Sequence, residues 1–293
     1  MNKPIKVFLP MTTPAKALNR LRELGADLHQ EGANWNEADK LAREACEEDG
    51  RIRYVPPFSD PLLWEGHATL VHEFSSIIKP DLVICGVGGG GLFNGIRLGL
   101  RQVYGKDEGD KIGVVAVETI GCDSLNSAIK NNQKGLKLDG ITSIAKSFGS
   151  VVAHDTTFDE CKGTNSHSVL VTDVQAVRAC QEFADNERVL VEAACGAGLA
   201  VVSDKKFFEN EILAKWRENV TSDDKLGLVD PQDILVEVCG GNLIDTSILK
   251  EYKKMKEPKK RKVEKAAKIE TAPTRVSKRP RKPRVDIDFE EEI

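Results

Sequence analysis

The chain has 293 residues, a formal net charge of −4, 40% apolar residues and 30% charged residues. This balance is typical of a soluble globular protein, and the length allows one or two domains with a sizeable core. No apolar run approaches the roughly 20 residues that a membrane-spanning helix needs, so we expect no membrane segment.

Strands and helices alternate along the first part of the chain. The apolar patterns predict strands over 5–9, 26–30 and 51–55, with helices beginning near residues 12 and 36 between them. A longer helix is expected over 61–79, because Pro61 suits a first helical turn. This alternation is typical of an α/β protein with a parallel sheet.

A run of four glycines follows the next predicted strand. The apolar residues 83–86 lead into Gly88–Gly91, and helical spacing resumes at Leu92. Glycines allow backbone N–H groups to converge, and the start of a helix adds positive potential, so the pattern predicts a phosphate-binding loop. The alternative is a tight strand-to-helix turn without a chemical role.

The same glycines also satisfy the dinucleotide fingerprint, beginning at Gly86. The next predicted strand, 112–118, ends in Glu118. A dinucleotide-binding unit wants an acidic residue about 20 residues after the glycines, and Glu118 lies further along the chain. A nicotinamide or methyl-donor site therefore remains an alternative.

The later elements continue the α/β pattern up to a change in composition. Strand 170–171, helices 173–185 and 191–202, a last buried strand over 234–239 and a final helix from about residue 243 are predicted in turn. From Glu251 onwards the chain has 15 Lys and Arg residues against 9 Asp and Glu residues. Such a composition predicts a disordered basic tail beginning near residue 256.

Two basic clusters in this tail suggest partners. Pro258–Val263 resembles a monopartite nuclear-import signal, and 278–284 has the Arg/Pro interleaving of DNA minor-groove contacts. An import receptor or nucleic acid is therefore a predicted partner, with a solvated tail as the alternative. The seven cysteines form no Cys-x-x-Cys pair and the N-terminus has no secretory pattern, so the body is expected to be cytoplasmic with reduced thiols.

Seven strings in unbroken order resemble the L-serine dehydratase (L-serine ammonia-lyase) family, which belongs to the tryptophan-synthase-like, fold type II group of pyridoxal-phosphate enzymes. The strings lie at 9–14, 57–67, 86–92, 116–119, 141–146, 191–197 and 238–242. The resemblance implies a two-domain α/β fold with parallel sheets, with the cofactor in the cleft. The implied divisions are 1–56 for the remainder of a small domain, 57–256 for the large cofactor-binding domain and 257–293 for the tail.

The resemblance also implies roles for particular residues. Gly88, Gly89, Gly90, Gly91 and Leu92 would hold the phosphate of pyridoxal 5'-phosphate.

Cys239 would face the pyridine nitrogen, and as a neutral thiol it would keep that nitrogen unprotonated, which suits elimination of the serine hydroxyl. Glu118, Cys122 and the backbone of Phe148 would surround a monovalent cation, expected to be potassium. The alternatives are a solvent-facing acid at Glu118 and a packed core thiol at Cys239.

The implied reaction is deamination of L-serine to pyruvate and of L-threonine to 2-oxobutanoate, with release of ammonia, by a homodimer. The family's lysine for the Schiff base lies in a Ser-Phe-Lys segment, which does not occur in the 293 residues; Lys146 belongs to a different family string. We therefore expect the N-terminal part of the small domain to be missing and the activity of this chain to be in doubt. A non-enzymatic relic of the fold with a nuclear or nucleic-acid role is the alternative.

Overall fold

Two parallel sheets organise the structure, a computed structural model that describes residues 3–13, 15–33, 35–219 and 230–255. The smaller sheet pairs β1 (Lys6–Leu9) with β2 (Asp27–Gln30). The larger sheet contains β3 (Leu82–Gly86), β4 (Gly113–Thr119), β5 (Ser166–Val171) and β6 (Ile234–Val236), in the spatial order β5-β4-β3-β6. All of its neighbouring strands are parallel, which confirms the predicted class of fold.

The helices connect these strands. They are α1 (Ala15–Glu23), α2 (Trp35–Glu48), α3 (Pro61–Phe74), α4 (Gly91–Tyr104), α5 (Lys106–Lys111), α6 (Ser124–Lys130), α7 (Asp155–Gly163), α8 (Asp173–Glu187), α9 (Ala193–Ser203), α10 (Lys205–Phe207), α11 (Ala214–Asn219) and α12 (Thr246–Tyr252). Of these, α1 and α2 pack beside the smaller sheet, and helices that include α3, α4, α8 and α9 pack on the larger one. A 3₁₀ turn spans Lys146–Phe148, and a π-helical segment, Phe208–Leu213, precedes α11.

Alternate residues of β3 enter two separate apolar clusters, one on each face of the larger sheet. Leu82 and Ile84 pack with residues of α8 and α9, whereas Val83 and Cys85 pack with residues of α3 and α4. Side chains on a strand alternate between faces, so a strand covered on both sides reads as a continuous apolar run. This is why the sequence pattern identified β3.

The predicted strand over 51–55 is wrong. Arg51–Val55 pairs with no strand among the described residues. The side chain of Tyr54 instead donates a hydrogen bond to the carboxylate of Asp39, and the Arg43 guanidinium lies 4.2 Å from the centre of its ring. Side-chain contacts with α2, rather than a backbone ladder, therefore hold this segment.

Several predicted boundaries also move, among them the ends of the helix over 61–79 and of the last strand. The helix expected over 61–79 ends at Phe74, because the amides of Ile77 and Ile78 both turn back onto the Phe74 carbonyl. The last strand was expected to be buried over 234–239, but it ends at Val236 and is half-buried. Positive φ angles at Gly240 (80°) and Gly241 (106°) turn the chain away from the sheet shortly afterwards.

The residues up to Met255 form one compact unit. The division at residue 56 stays a prediction, and the tail over 257–293, with both basic clusters, lies outside the described residues. Within the described part of the chain, no helix is long and apolar enough to cross a membrane.

Candidate cofactor site

The predicted cofactor residues surround one cavity of about 520 Å³. It opens where β3 and β6 end, at the edge of the sheet where open α/β folds bind their ligands. The lining residues are Trp35, Pro57, Phe58, His67, Gly86, Gly88, Gly89, Gly90, Gly91, Leu92, Lys146, Ser147, Phe148, Gly149, Ser150, Glu192, Ala194, Cys195, Glu237 and Cys239. The volume lies within the range of about 300–1,000 Å³ that is usual for small-molecule sites.

The glycine loop presents unused hydrogen-bond donors to this cavity. Across the described ranges, the amides of Gly88, Gly89 and Gly90 donate to no backbone carbonyl and no side chain. Helix α4 begins at Gly91, so its first N–H groups have no partner within the helix either. Converging free amides at a helix start bind anions, which makes this loop fit a phosphate group.

Close packing explains why all four positions are glycine. A Cβ atom on Gly89 would lie 2.2 Å from the Phe58 ring, and one on Gly90 would lie 1.9 Å from the Thr157 hydroxyl oxygen. A Cβ on Gly88 would lie 3.1 Å from the Phe148 Cα, and one on Gly91 would lie 3.0 Å from the Phe58 carbonyl oxygen. Packing therefore requires glycine at these four positions. The evidence that the loop binds a phosphate group is the set of free amides.

Phe58 is held over the glycine loop by a neighbouring tryptophan. The indole Nε1 of Trp64, in the first turn of α3, donates a 2.7 Å hydrogen bond to the Phe58 carbonyl oxygen. Asp60 caps the same helix by accepting from the Leu62 amide. The start of α3 thus fixes the segment that covers the loop.

Cys239 lines the cavity and is exposed there, and its role opposite the pyridine nitrogen stays a prediction. The alternative of a thiol packed in the core is therefore wrong. Its Sγ donates a 2.7 Å hydrogen bond to Oε1 of Glu237, a residue that sequence reasoning missed. The alternation of side chains along a strand was the available signal, because residues two apart face the same side.

Glu118, in β4, is fully buried, so the alternative of a solvent-facing acid is wrong. Its carboxylate accepts hydrogen bonds from the amides of Leu125 (2.9 Å) and Asn126 (2.7 Å) at the start of α6. Burial raises the pKa of Glu118 to about 8, against the opposing effect of these two hydrogen bonds. A full charge here requires a compensating positive charge.

The other two predicted cation residues meet at one carbonyl group. The Ala145 oxygen accepts a 2.9 Å hydrogen bond from the Phe148 amide and a 3.7 Å one from the Cys122 thiol. Phe148 also lines the cavity, whereas Glu118 and Cys122 do not. In α6, the Ser124 hydroxyl is buried without a partner among the described residues. That oxygen suits a hard cation, although no group of three or more described His, Cys, Asp or Glu residues is arranged to bind a metal.

Comparisons with known proteins agree with this geometry. The family model described as "Pyridoxal-phosphate dependent enzyme" matches residues 1–217. "Serine dehydratase-like" of Mus musculus is 38% identical over 252 residues, covering 85% of this chain and 71% of the relative. "L-serine dehydratase/L-threonine deaminase" of Bos taurus is 34% identical over 253 residues, covering 86% and 72%.

A solved structure agrees as well. The L-serine ammonia-lyase of Rhizomucor miehei superposes with a TM-score of 0.66 at 28% identity, covering 85% of this chain and 73% of that one. The match to the family model extends over most of the chain, and the relatives align along the same region. The chain therefore belongs to the family of pyridoxal-phosphate-dependent enzymes.

Proposed function

We propose that this chain forms the cofactor-binding part of a lyase that deaminates L-serine to pyruvate and ammonia, and L-threonine to 2-oxobutanoate and ammonia. The relatives named as serine dehydratases and threonine deaminases support this substrate class. The observation that carries the proposal is the set of free amides at Gly88–Gly90, which open into the same cavity as Cys239.

Different residues of the cavity would bind different parts of the cofactor. The glycine amides would bind the phosphate without a charged side chain, and Cys239 would contact the pyridine nitrogen. When bound, pyridoxal 5'-phosphate supplies the electron sink for bond breaking at the amino acid's Cα. Phe58 packs against Gly89 and Gly91, so it would shield the phosphate contacts from water.

The reaction also needs an amine that carries the cofactor aldehyde and moves the Cα proton. The cavity contains one described lysine, Lys146. Because Lys146 belongs to a different family string, we propose that a Ser-Phe-Lys segment supplies this amine and that Lys146 does not.

Pyruvate release from L-serine tests the function directly. The chain is measured alone and joined to a family N-terminal segment that carries Ser-Phe-Lys. We expect serine-dependent pyruvate release from the joined protein only, and its loss when the lysine of the added segment is changed to alanine. Borohydride reduction with peptide mapping should label that lysine. A joined protein that folds and binds pyridoxal 5'-phosphate but releases no pyruvate would contradict the proposal, and labelling of Lys146 would contradict the assignment of the amine.

We further propose that a monovalent cation, potassium, binds beside α6. Glu118 would supply the charge, the Cys122 and Phe148 segments would supply backbone oxygens, and the unpaired Ser124 hydroxyl would complete the set. The proposal is supported by a carboxylate that is buried without solvent and by an unsatisfied oxygen on the helix that binds it. Raising the potassium concentration at constant ionic strength should raise the melting temperature of the wild-type chain more than that of Ser124→Ala.

A further inference from the structure

Glu237 and Cys239 form a hydrogen-bonded pair at the edge of the cofactor cavity. The Glu237 amide still pairs with the Ile84 carbonyl oxygen at 2.9 Å, so the extended backbone continues one residue past β6. Both side chains line the cavity, and the 2.7 Å bond joins Cys239 Sγ to Glu237 Oε1.

The Cys239 thiol donates its single proton to Glu237 in this hydrogen bond. A cysteine carries a single S–H donor, and its sulfur otherwise acts only as a weak acceptor. Although Cys239 is exposed to the cavity, partial desolvation by its surroundings, then the hydrogen bond to Glu237, raises its pKa well above the usual value, so the thiol keeps its proton. Towards the cavity, therefore, the pair presents hydrogen-bond acceptors, which are the Cys239 sulfur and the Glu237 carboxylate oxygens. It presents no hydrogen-bond donor.

The surroundings of Glu237 leave its charge without a cationic partner. Burial raises the pKa of Glu237, and the hydrogen bond from Cys239 lowers it. The other titratable groups near the Glu237 carboxylate are the thiols of Cys85 and Cys195. The remaining titratable groups that line the cavity are His67, Lys146 and Glu192. Among the described residues, no lysine or arginine forms an ion pair with Glu237.

We propose that Glu237, acting through Cys239, makes this edge of the cavity a site for a protonated heteroaromatic nitrogen. An unprotonated ring nitrogen needs a donor, and this pair has none to give. A pyridinium N–H would instead donate to the Cys239 sulfur and lie close to the negative charge of Glu237. Glu237 is thus a positioning residue, and the inference rests on the proposed function.

This arrangement reverses what Cys239 alone predicts. A neutral thiol by itself favours an unprotonated nitrogen, whereas the pair favours the protonated ring, which withdraws electrons more strongly. No covalent step is involved, since the proton on the nitrogen comes from solvent.

The direct test uses pyridoxine 5'-phosphate, which has the ring and phosphate but no aldehyde, and so binds without a Schiff base. Its ultraviolet absorbance reports protonation of the ring nitrogen as the pH is raised. On the wild-type chain, we expect the bound nitrogen to hold its proton at least about tenfold more strongly than in free solution, a shift of about one pKa unit. Glu237→Gln should remove the shift, Glu237→Asp should restore part of it, and the surface control Glu251→Gln should leave it unchanged.

A second test needs no ligand and remains informative if a variant binds the probe poorly. Cys239 is the exposed thiol, and Cys46, of intermediate exposure, serves as the internal control. Glu237→Gln should accelerate alkylation of Cys239 by iodoacetamide at neutral pH by about three- to tenfold, because the thiolate becomes easier to form. The rate at Cys46 should not change.

The outcomes separate the two claims. Failure of the native chain to bind pyridoxine 5'-phosphate would overturn the proposed function and this inference with it. Binding with an unshifted or lowered ring pKa, or with the same shift in Glu237→Gln, would overturn the inference alone. An unchanged rate at Cys239 would show that the pair does not exist in solution and would also overturn the inference.

Discussion

The ring of Phe58 occupies the space that any side chain on Gly89 would need, because a Cβ there would lie 2.2 Å from the Phe58 Cγ. The aromatic ring, rather than a bound phosphate, is thus the first obstacle to a substitution at this glycine. A side chain added to the glycine loop, Gly88–Gly91, would therefore displace the segment around Phe58 that covers it.

The first prediction tests this displacement. Gly89→Ala should lower the free energy of unfolding by about 1–3 kcal/mol, because the ring must move to admit a methyl group. Adding Phe58→Leu should recover part of the loss. Urea denaturation measures both.

Gly66→Ala is the matched control for this substitution. Gly66 lies inside α3 with nothing within 4 Å of its Cβ position. Alanine there should stabilise the chain by up to about 1 kcal/mol. An equal effect of the two substitutions would contradict the role given to Phe58.

The second prediction concerns the tryptophan that holds Phe58. Trp64→Phe removes the 2.7 Å bond to the Phe58 carbonyl and should destabilise the chain by about 1–2 kcal/mol. It should also weaken binding of pyridoxine 5'-phosphate, measured by equilibrium titration. Trp216→Phe is the control, because the Trp216 Nε1 is buried without a partner in the described residues. If binding weakens as much in the control, the covering segment is not the cause.

The third prediction follows from the raised pKa of Glu118. The folded-state pKa of about 8 lies above the usual value of 4.5 for a glutamate side chain. The native state therefore holds a proton that the unfolded chain releases, so stability contributed by this group is complete at low pH. It is lost as the pH rises from about 4.5 to about 8, with a slope of at most about 1.4 kcal/mol per pH unit.

Comparison with Glu118→Gln isolates this slope. Partial desolvation lowers the pKa values of His67 and His167, and these groups act in the opposite direction. The difference between the two proteins is therefore the quantity to measure. We expect that difference to change with pH in potassium-free buffer and to flatten when potassium is added. A pH-independent difference in potassium-free buffer would show that the Glu118 carboxylate is stable as an anion by itself.

The fourth prediction concerns the anchor of α4. The Arg97 guanidinium is 1% exposed and donates to the carbonyl oxygens of Ile112 (2.8 Å) and Asp110 (3.2 Å). Arg97→Met should cost about 3 kcal/mol, because it leaves buried carbonyls without donors.

An exposed ion pair provides the comparison for Arg97. Lys79 lies 3.4 Å from Glu108, and both side chains are about half exposed. Lys79→Met should change stability by less than about 1 kcal/mol. Thermal unfolding of the two variants would contradict the anchoring role if their losses were similar.

The sequence by itself determined the features that depend on local order. Apolar runs and the glycines after 83–86 predicted β3, the loop and the start of α4, because a buried strand and a helix start leave local patterns. The family strings then implied that Cys239 faces the pyridine nitrogen, which stays a prediction, and in the structure Cys239 lines the cavity. The first inference needed only residues that are near one another in the chain, and the second needed only the order of short strings along it.

Tertiary structure decided what depends on distant partners. The segment at 51–55 has strand-like residues but pairs with no described strand, and Tyr54 contacts α2 instead. Phe58 reached Gly89 through the packing of α3, which no local pattern encodes. Likewise, the sequence placed Glu237 two residues before Cys239, but only the direction of their side chains into the cavity made them a hydrogen-bonded pair. Chemistry at such a site depends on which groups lose water and meet, and that is settled when the sheet and its covering helices pack together.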